Sequence, residues 1–277
     1  EADAATTELL SAADAPLKKD LARNGTYLVM RQLEQDVRGF WKFVYEQAAG
    51  NIADASELAA KFVGRTRTGD PLVALQAEPI PGTDARTATQ NQFTYDSDPV
   101  GARCPLGAHV RRTNPRNGDF PERRLSTLRK LMIVLGFGSK GFYDDLTSSV
   151  RFHRILRRGR EYGSELLPEQ ALQAPPSNEA PRGLHFICVN ANISRQFEFL
   201  QNAWITNSKF SGLTGESDPL LGNRQSIPGC PVTNNFIIPG DGTLRRRVSD
   251  LPQFVTVRGG AYFFLPSLRA LRYLSRA

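Results

Sequence analysis

Residues 183–206 read GLHFICVNANISRQFEFLQNAWIT. Within them the repeat of apolar side chains changes from that of a strand to that of a helix. GLHFICVN (183–190) predicts a strand, in which Leu184 and Phe186 share one face and His185 points to the other. Ile193, Phe197, Leu200 and Trp204 then fall at i, i+4, i+7 and i+11, which predicts an amphipathic helix over 193–206 with Asn192 as its N-cap. Upstream, RFHRILRR (151–158) predicts another strand. Downstream, VTVRGGAYFFL (255–265) predicts a last strand whose Gly259-Gly260 break reads as a bulge. Ser267 follows as the cap of a short helix carrying Leu268, Leu271 and Leu274.

Near the other end, Asn24-Gly25 makes a turn and TYLVMRQLE (26–34) predicts a strand. Phe40, Phe43, Val44 and Ala48 put a helix over 37–49, and Ser56–Phe62 makes a second, ending near Gly64. The order strand, helix, strand, strand, helix, strand predicts an α+β chain of the ferredoxin-like βαββαβ type, with long loop insertions at about 64–150 and 207–254. The domain is expected over 23–277, with 1–22 as a loop or tail. Residues 124–135 carry a helical pattern inside the first insertion. So long an irregular connection in a compact domain usually has a function.

Composition excludes several classes. The chain has 277 residues, 40% of them hydrophobic, enough for a real core. No run of about 18 apolar residues is present, so no membrane helix is expected. Net charge is +7, but the basic residues are scattered apart from Arg245-Arg246-Arg247, and no nucleic-acid motif accompanies them. Three cysteines, Cys104, Cys188 and Cys230, form neither a disulfide framework nor a metal motif and read as free thiols of a reducing, cytoplasmic setting. GRTRTG lacks the ending of a phosphate loop, and neither GxSxG nor HExxH occurs. His109, His153 and His185 are the only histidines.

Five segments together resemble the DyP-type (dye-decolorizing) haem peroxidases: RNGTYLVMRQLEQDV (23–37), GRTRTGDPLV (64–73), RCPLGAHVRRTNPR (103–116), HRILRRGREYG (153–163) and VTVRGGAYFFLPSLRAL (255–271). They run in one order along nearly the whole chain. The resemblance implies the C-terminal, haem-holding half of a dimeric α+β barrel-type peroxidase, which binds haem b, reduces H₂O₂ and oxidises dyes, phenols or similar organic donors in one-electron steps. It implies His109 as the iron ligand, with His153 as rival, and Asp218 as the carboxylate behind it. Arg157 is implied as the distal residue that stabilises bound peroxide, Leu184 and Phe186 as the apolar distal wall, and Arg112 as a further cofactor contact. Trp204 stands where some members oxidise bulky donors through a radical; packing of the helix face is its other reading.

One departure matters. The family's GxxDG segment, whose aspartate moves the proton, is absent; residues 141–145 (GFYDD) and 215–219 (GESDP) match neither its place nor its pattern. The expectation is a companion N-terminal chain that carries GxxDG, separated by cleavage near residues 1–20. A haem-binding module without efficient turnover and a purely structural ferredoxin-like domain are the competing readings. A homo-oligomer is compatible with all three.

Overall fold

A computed structural model describes residues 9–13, 15, 17–73, 90, 91, 93–95, 97–116, 150–226, 228, 229, 232–240 and 244–276. The helical pattern at 124–135 and Cys230 lie outside them. The centre of the molecule is β1 (Thr26–Gln35). Asp36 ends it and caps α1 (Val37–Gln47), its carboxylate accepting from the Gly39 N–H at 2.8 Å. Asn51 caps α2 (Ile52–Val63) in the same way, so this helix starts a turn earlier than Ser56. Gly64 ends α2 in the left-handed region at φ 90°. The insertions hold short elements that no periodicity announced, α3 (His109–Thr113) and the hairpin of β5 (Phe236–Ile238) and β6 (Arg246–Val248), and between the two insertions lies α4 (Pro168–Ala171).

Residues 151–158 depart from the expected strand. Val150–His153 is a 3₁₀ turn, and only β2 (Leu156–Arg157) pairs. The cause is lateral packing. Val150 sits in a cluster with Leu200, Trp204 and Phe210, and His153 stacks on Phe199 at 3.6 Å, which holds the segment away from the sheet until Leu156. β3 (Arg160–Tyr162) then pairs with β4 (Gly183–Asn190) as well. The 193–206 helix buries Phe197, Leu200 and Trp204 as expected, but it is π-helical over Ser194–Glu198 and Leu200–Ile205. Glu198 N–H reaches Ile193 O, and Thr206 N–H reaches Gln201 O, each five residues back. Asn192 still caps it, accepting from Arg195 N–H.

β7 (Val255–Leu265) closes the sheet and α5 (Leu268–Leu274) follows, capped by Ser267. The order is β2-β4-β1-β7, every pairing antiparallel, which is the ferredoxin-like arrangement. The register between β1 and β7 slips between Gln32 and Leu33: Gln32 faces Gly259 and Leu33 faces Val257, so Arg258 is the extra residue, beside the Gly-Gly pair.

Register sorts side chains onto two faces. Val29, Arg31 and Leu33 of β1 share one with Leu184, Phe186 and Cys188 of β4, with Arg157 of β2, and with Tyr262 of β7. The core lies here. Leu33 packs with Trp41, Val44, Leu58, Phe62 and Phe236, with Leu184 and Phe186 against them. The Phe62–Phe236 edge contact, at 4.6 Å, ties the hairpin to α2 and contributes about 1 kcal/mol beyond its buried area. The other face carries Leu28, Met30, Ile187, Val189, Phe263 and Leu265. Phe263 is 49% and Leu265 41% exposed there. Among the described residues no helix is long and apolar enough to cross a membrane.

Candidate haem site

A helix of five residues cannot hold itself together in water, so α3 depends on its surroundings to present His109. Two braces supply this. In front, the buried Asp98 carboxylate accepts from Arg103 N–H, from Cys104 N–H at 2.8 Å and from Arg111 Nη1 at 3.2 Å. Arg111 returns bonds to the Cys104 and Asp98 carbonyls, and its guanidinium lies 4.3 Å from the Tyr95 ring centroid. Gly64 lets α2 press on this loop. A Cβ there would come within 3.2 Å of Val110 Cβ and 3.3 Å of Cys104 Sγ, in a backbone conformation side chains rarely adopt.

Behind α3 the brace is Arg112, which is fully buried. Its guanidinium donates to the carbonyls of Trp204 (2.6 Å), Asn207 (3.0 Å) and Glu216 (2.7 Å). Burial lowers its pKa to about 10, with Asp218 and Glu216 opposing the shift. These bonds fasten α3 to the π-helical segment and to the GESDP loop. Arg112 is thus spent on backbone carbonyls, and only Nε has no hydrogen-bond partner among the described residues. The implied cofactor contact finds no support in this placement.

The GESDP loop brings Asp218 to His109. Asp218 Oδ1 accepts from the N–H groups of Leu220 and Leu221, which fixes the carboxylate, and Oδ2 accepts from His109 Nδ1 at 2.8 Å. Burial alone would raise the Asp218 pKa. His109, the Leu221 N–H and Arg112 outweigh it and hold the carboxyl below its usual range. Arg224 clamps the loop from outside through Ser217 Oγ and the carbonyls of Asp218 and Pro219. With Nδ1–H committed, the neutral tautomer of His109 carries its lone pair on Nε2, which makes no hydrogen bond among the described residues. The imidazole is a quarter exposed.

Glu216 went unnoticed in the sequence. Its side chain is fully buried: Oε2 accepts from Ile237 N–H at 3.1 Å, and Oε1 has no hydrogen-bond partner among the described residues. It also presses on the His109 loop, since a Cβ on Gly107 would lie 2.9 Å from Oε2. Burial pushes its pKa up to about 7, against the Ile237 N–H, Arg112 and Arg247. Asp98, Arg111 and Arg224 were equally silent, because most of their partners are backbone groups of irregular loops, which follow no periodicity.

The other implied residues fall on the helix-covered face of the sheet. Leu184 and Phe186 are half-buried there. Arg157, opposite Cys188, is exposed and turns to the same side. It lies near the GRTRTG loop: burial lowers the pKa of Arg65, and the charge of Arg157 adds to that. Of the rival histidines, His153 is buried, with Nδ1 donating to the Arg195 carbonyl, and His185 stacks on Tyr162 on the opposite face. Trp204 is 4% exposed and packs edge-on against His153, Phe199 and Phe210, so packing accounts for its place.

No family model matches the chain. Similar proteins do. The multifunctional dye peroxidase DyP2 of Amycolatopsis sp. (strain ATCC 39116 / 75iv2) is 33% identical over 263 residues, covering 90% of this chain and 49% of that one. The dye-decolorizing peroxidase AauDyP1 of Auricularia auricula-judae is 30% identical, over 90% and 46%. The DyP2 structure aligns with a TM-score of 0.61 over 90% of this chain and 48% of its own. A dye-decolorizing peroxidase in complex with 2,6-dimethoxyphenol aligns with a TM-score of 0.63 at 27% identity, over 95% and 55%. The chain spans about half the length of the curated relatives it matches. Over nine-tenths of its length this chain is similar in sequence and fold to the dye-decolorizing peroxidases.

Proposed function

We propose that the chain is the haem-holding, C-terminal half of a peroxidase that reduces H₂O₂ and oxidises dyes or phenols. The observation that carries this reading is the His109–Asp218 pair. A buried carboxylate takes the Nδ1 proton and leaves Nε2 as an electron-rich nitrogen without a hydrogen-bond partner among the described residues. A haem iron needs one such ligand, and a carboxylate behind it fixes the tautomer and raises its basicity. The residues therefore fit haem b. When bound, haem supplies the two-electron reduction of peroxide and takes back electrons one at a time.

The protein's own groups do the rest. Asp218 keeps the His109 ring oriented, with Nδ1 turned to the carboxylate and Nε2 turned away from it. Arg157 holds the negative charge of the peroxide, a role typically worth ~10²–10³ in rate. Leu184 and Phe186 keep water from the same wall. The proton that must leave one peroxide oxygen and reach the other is moved by the GxxDG aspartate of a companion half. We assign that half to the sheet face that carries Leu28, Met30, Ile187, Phe263 and Leu265, on which Phe263 and Leu265 are exposed. Phenols suit as donors, since a relative with this fold binds 2,6-dimethoxyphenol. The buried thiols Cys104 and Cys188 suit a cytoplasmic setting. The missing GxxDG favours one second reading, a haem module without turnover.

The test is the visible spectrum of protein supplied with haem, before and after one equivalent of H₂O₂. A Soret band that shifts with peroxide, and that His109→Ala abolishes, is expected. A band that peroxide leaves unchanged selects the haem module, and no band in the wild type sinks both readings.

A further inference from the structure

We infer that the chain carries a second small-molecule site, separate from the His109 site, which takes an amphipathic carboxylate of the medium-chain fatty acid type. It is a cavity of about 520 Å³ where the loop before β1 meets the junction of β7 and α5. Pockets that hold small molecules measure roughly 300–1,000 Å³. None of the lining residues belongs to the haem site, so the inference stands apart from the peroxidase reading.

Both walls are built. An antiparallel bridge joins Ser11 to Lys19, Asp20 N–H donates to Leu10 O at 2.9 Å, and Ala12 N–H donates to Lys18 O at 2.9 Å. These bonds fold the loop back on itself, and Arg23 Nη1 fastens it by donating to Ser11 O at 2.7 Å. The facing wall is the end of β7 and the start of α5, where Ser267 Oγ accepts from Ala270 N–H at 3.3 Å. Leucines dominate the lining. Leu9 is 7% exposed, whereas Leu265 is 41%, Leu268 74% and Leu271 45% exposed. Leu268 and Leu271, three apart, share a face of α5. An alkyl chain laid along the cavity takes these side chains out of water.

Charge selects the head of the ligand. Arg23, Arg269 and Asp20 are the charged side chains of the lining, and together they leave one positive charge, which matches a monoanion. Asp20 turns Oδ1 to the Ala22 N–H at 2.9 Å. Among the described residues Arg269 makes no hydrogen bond or ion pair, and Arg23 donates only through Nη1. Their guanidinium groups offer the planar, paired N–H donors that fit a carboxylate. A cationic head would meet the same charge unfavourably.

The probe is radiolabelled decanoate, dialysed to equilibrium against the full chain with and without saturating haem. One equivalent should bind, with the same affinity in both cases. Unlabelled decanoate should displace it, decanol should do so about tenfold less well, and decyltrimethylammonium should not. Arg269→Gln should weaken decanoate about tenfold while leaving decanol unchanged, which separates recognition of the head from loss of the pocket. Leu271→Asp, which sets a carboxylate in the apolar wall, should abolish binding. Both positions are exposed, and an unchanged circular dichroism spectrum checks that the variants fold. Absence of saturable binding by the wild type, undiminished binding by the two variants, equal displacement by decanol, or displacement by haem overturns the inference.

Discussion

Glu216 lets the packing of the site be weighed. It is fully buried, with one oxygen on Ile237 N–H and the other without a hydrogen-bond partner among the described residues. Its pKa rises from 4.5 to about 7 on folding. A raised carboxyl pKa means that the folded protein holds the proton more tightly than the unfolded chain does. Stability is then full below pH 4.5, falls as pH climbs through the window between the two values, and levels off above about 7. At 1.36 kcal/mol per unit the cost of ionisation is about 3 kcal/mol at pH 8 and under ~1 kcal/mol at pH 5. Glu216→Gln keeps an acceptor for Ile237 and carries no charge. Urea unfolding should therefore find the variant about 2–3 kcal/mol more stable than wild type at pH 8, and nearly equal to it at pH 5. The control is the wild-type curve itself, which should lose stability between those pH values while the variant loses little of it at this site. Parallel pH curves for the two proteins would refute the argument, and with it the claim that burial governs this carboxyl.

The remaining predictions concern the ligand and its braces. Asp218→Asn keeps the size of the side chain but removes the charge behind His109, so haem retention or turnover should fall ~10–100-fold and the iron reduction potential should rise, as read by competition with a haem acceptor and by redox titration. The folded pKa of Asp218 lies below the ordinary aspartate value of 3.8, so its contribution is present above that value and fades only as pH drops through the lower folded one; an acid titration that releases the His109 bond at pH 5 would contradict this. Arg112→Met strands three carbonyls, two of them buried and each of those worth ~1–3 kcal/mol when left unpaired, and should unfold at markedly lower urea with or without haem. A loss confined to the haem-loaded form would instead make Arg112 a cofactor contact.

Where local chemistry and tertiary packing agreed, the fold was legible. β1, β4 and β7 were visible because their β-forming residues are bounded, β1 at its start by Asn24-Gly25 and β4 and β7 at their ends by Asn190 and Pro266. The caps Asn192 and Ser267 were readable because one side chain and one N–H define them. RFHRILRR failed as a strand because Val150 and His153 are drawn sideways into a cluster whose other members lie some fifty residues downstream. The π-helical turns kept the buried stripe of the expected helix, since wider hydrogen bonds alter the backbone more than the side-chain face. At the site, His109 and Asp218 came from family resemblance, and the structure puts them 2.8 Å apart. Arg112, implied as a cofactor contact, donates to three backbone carbonyls: the sequence shows an arginine beside a candidate ligand, not which atoms it will meet. Asp98, Glu216 and Arg224 had no motif to mark them.

The five-residue helix under His109 has a consequence for assembly. Nothing local nucleates it; its geometry is inherited from carbonyls and carboxylates that come together only when α2, the π-helical segment and the GESDP loop have docked. Iron capture would then be a late event, open only to chains that have completed their tertiary structure. The colour of a preparation would count finished molecules, and mutations far from the metal would bleach it by delaying completion without touching the cofactor.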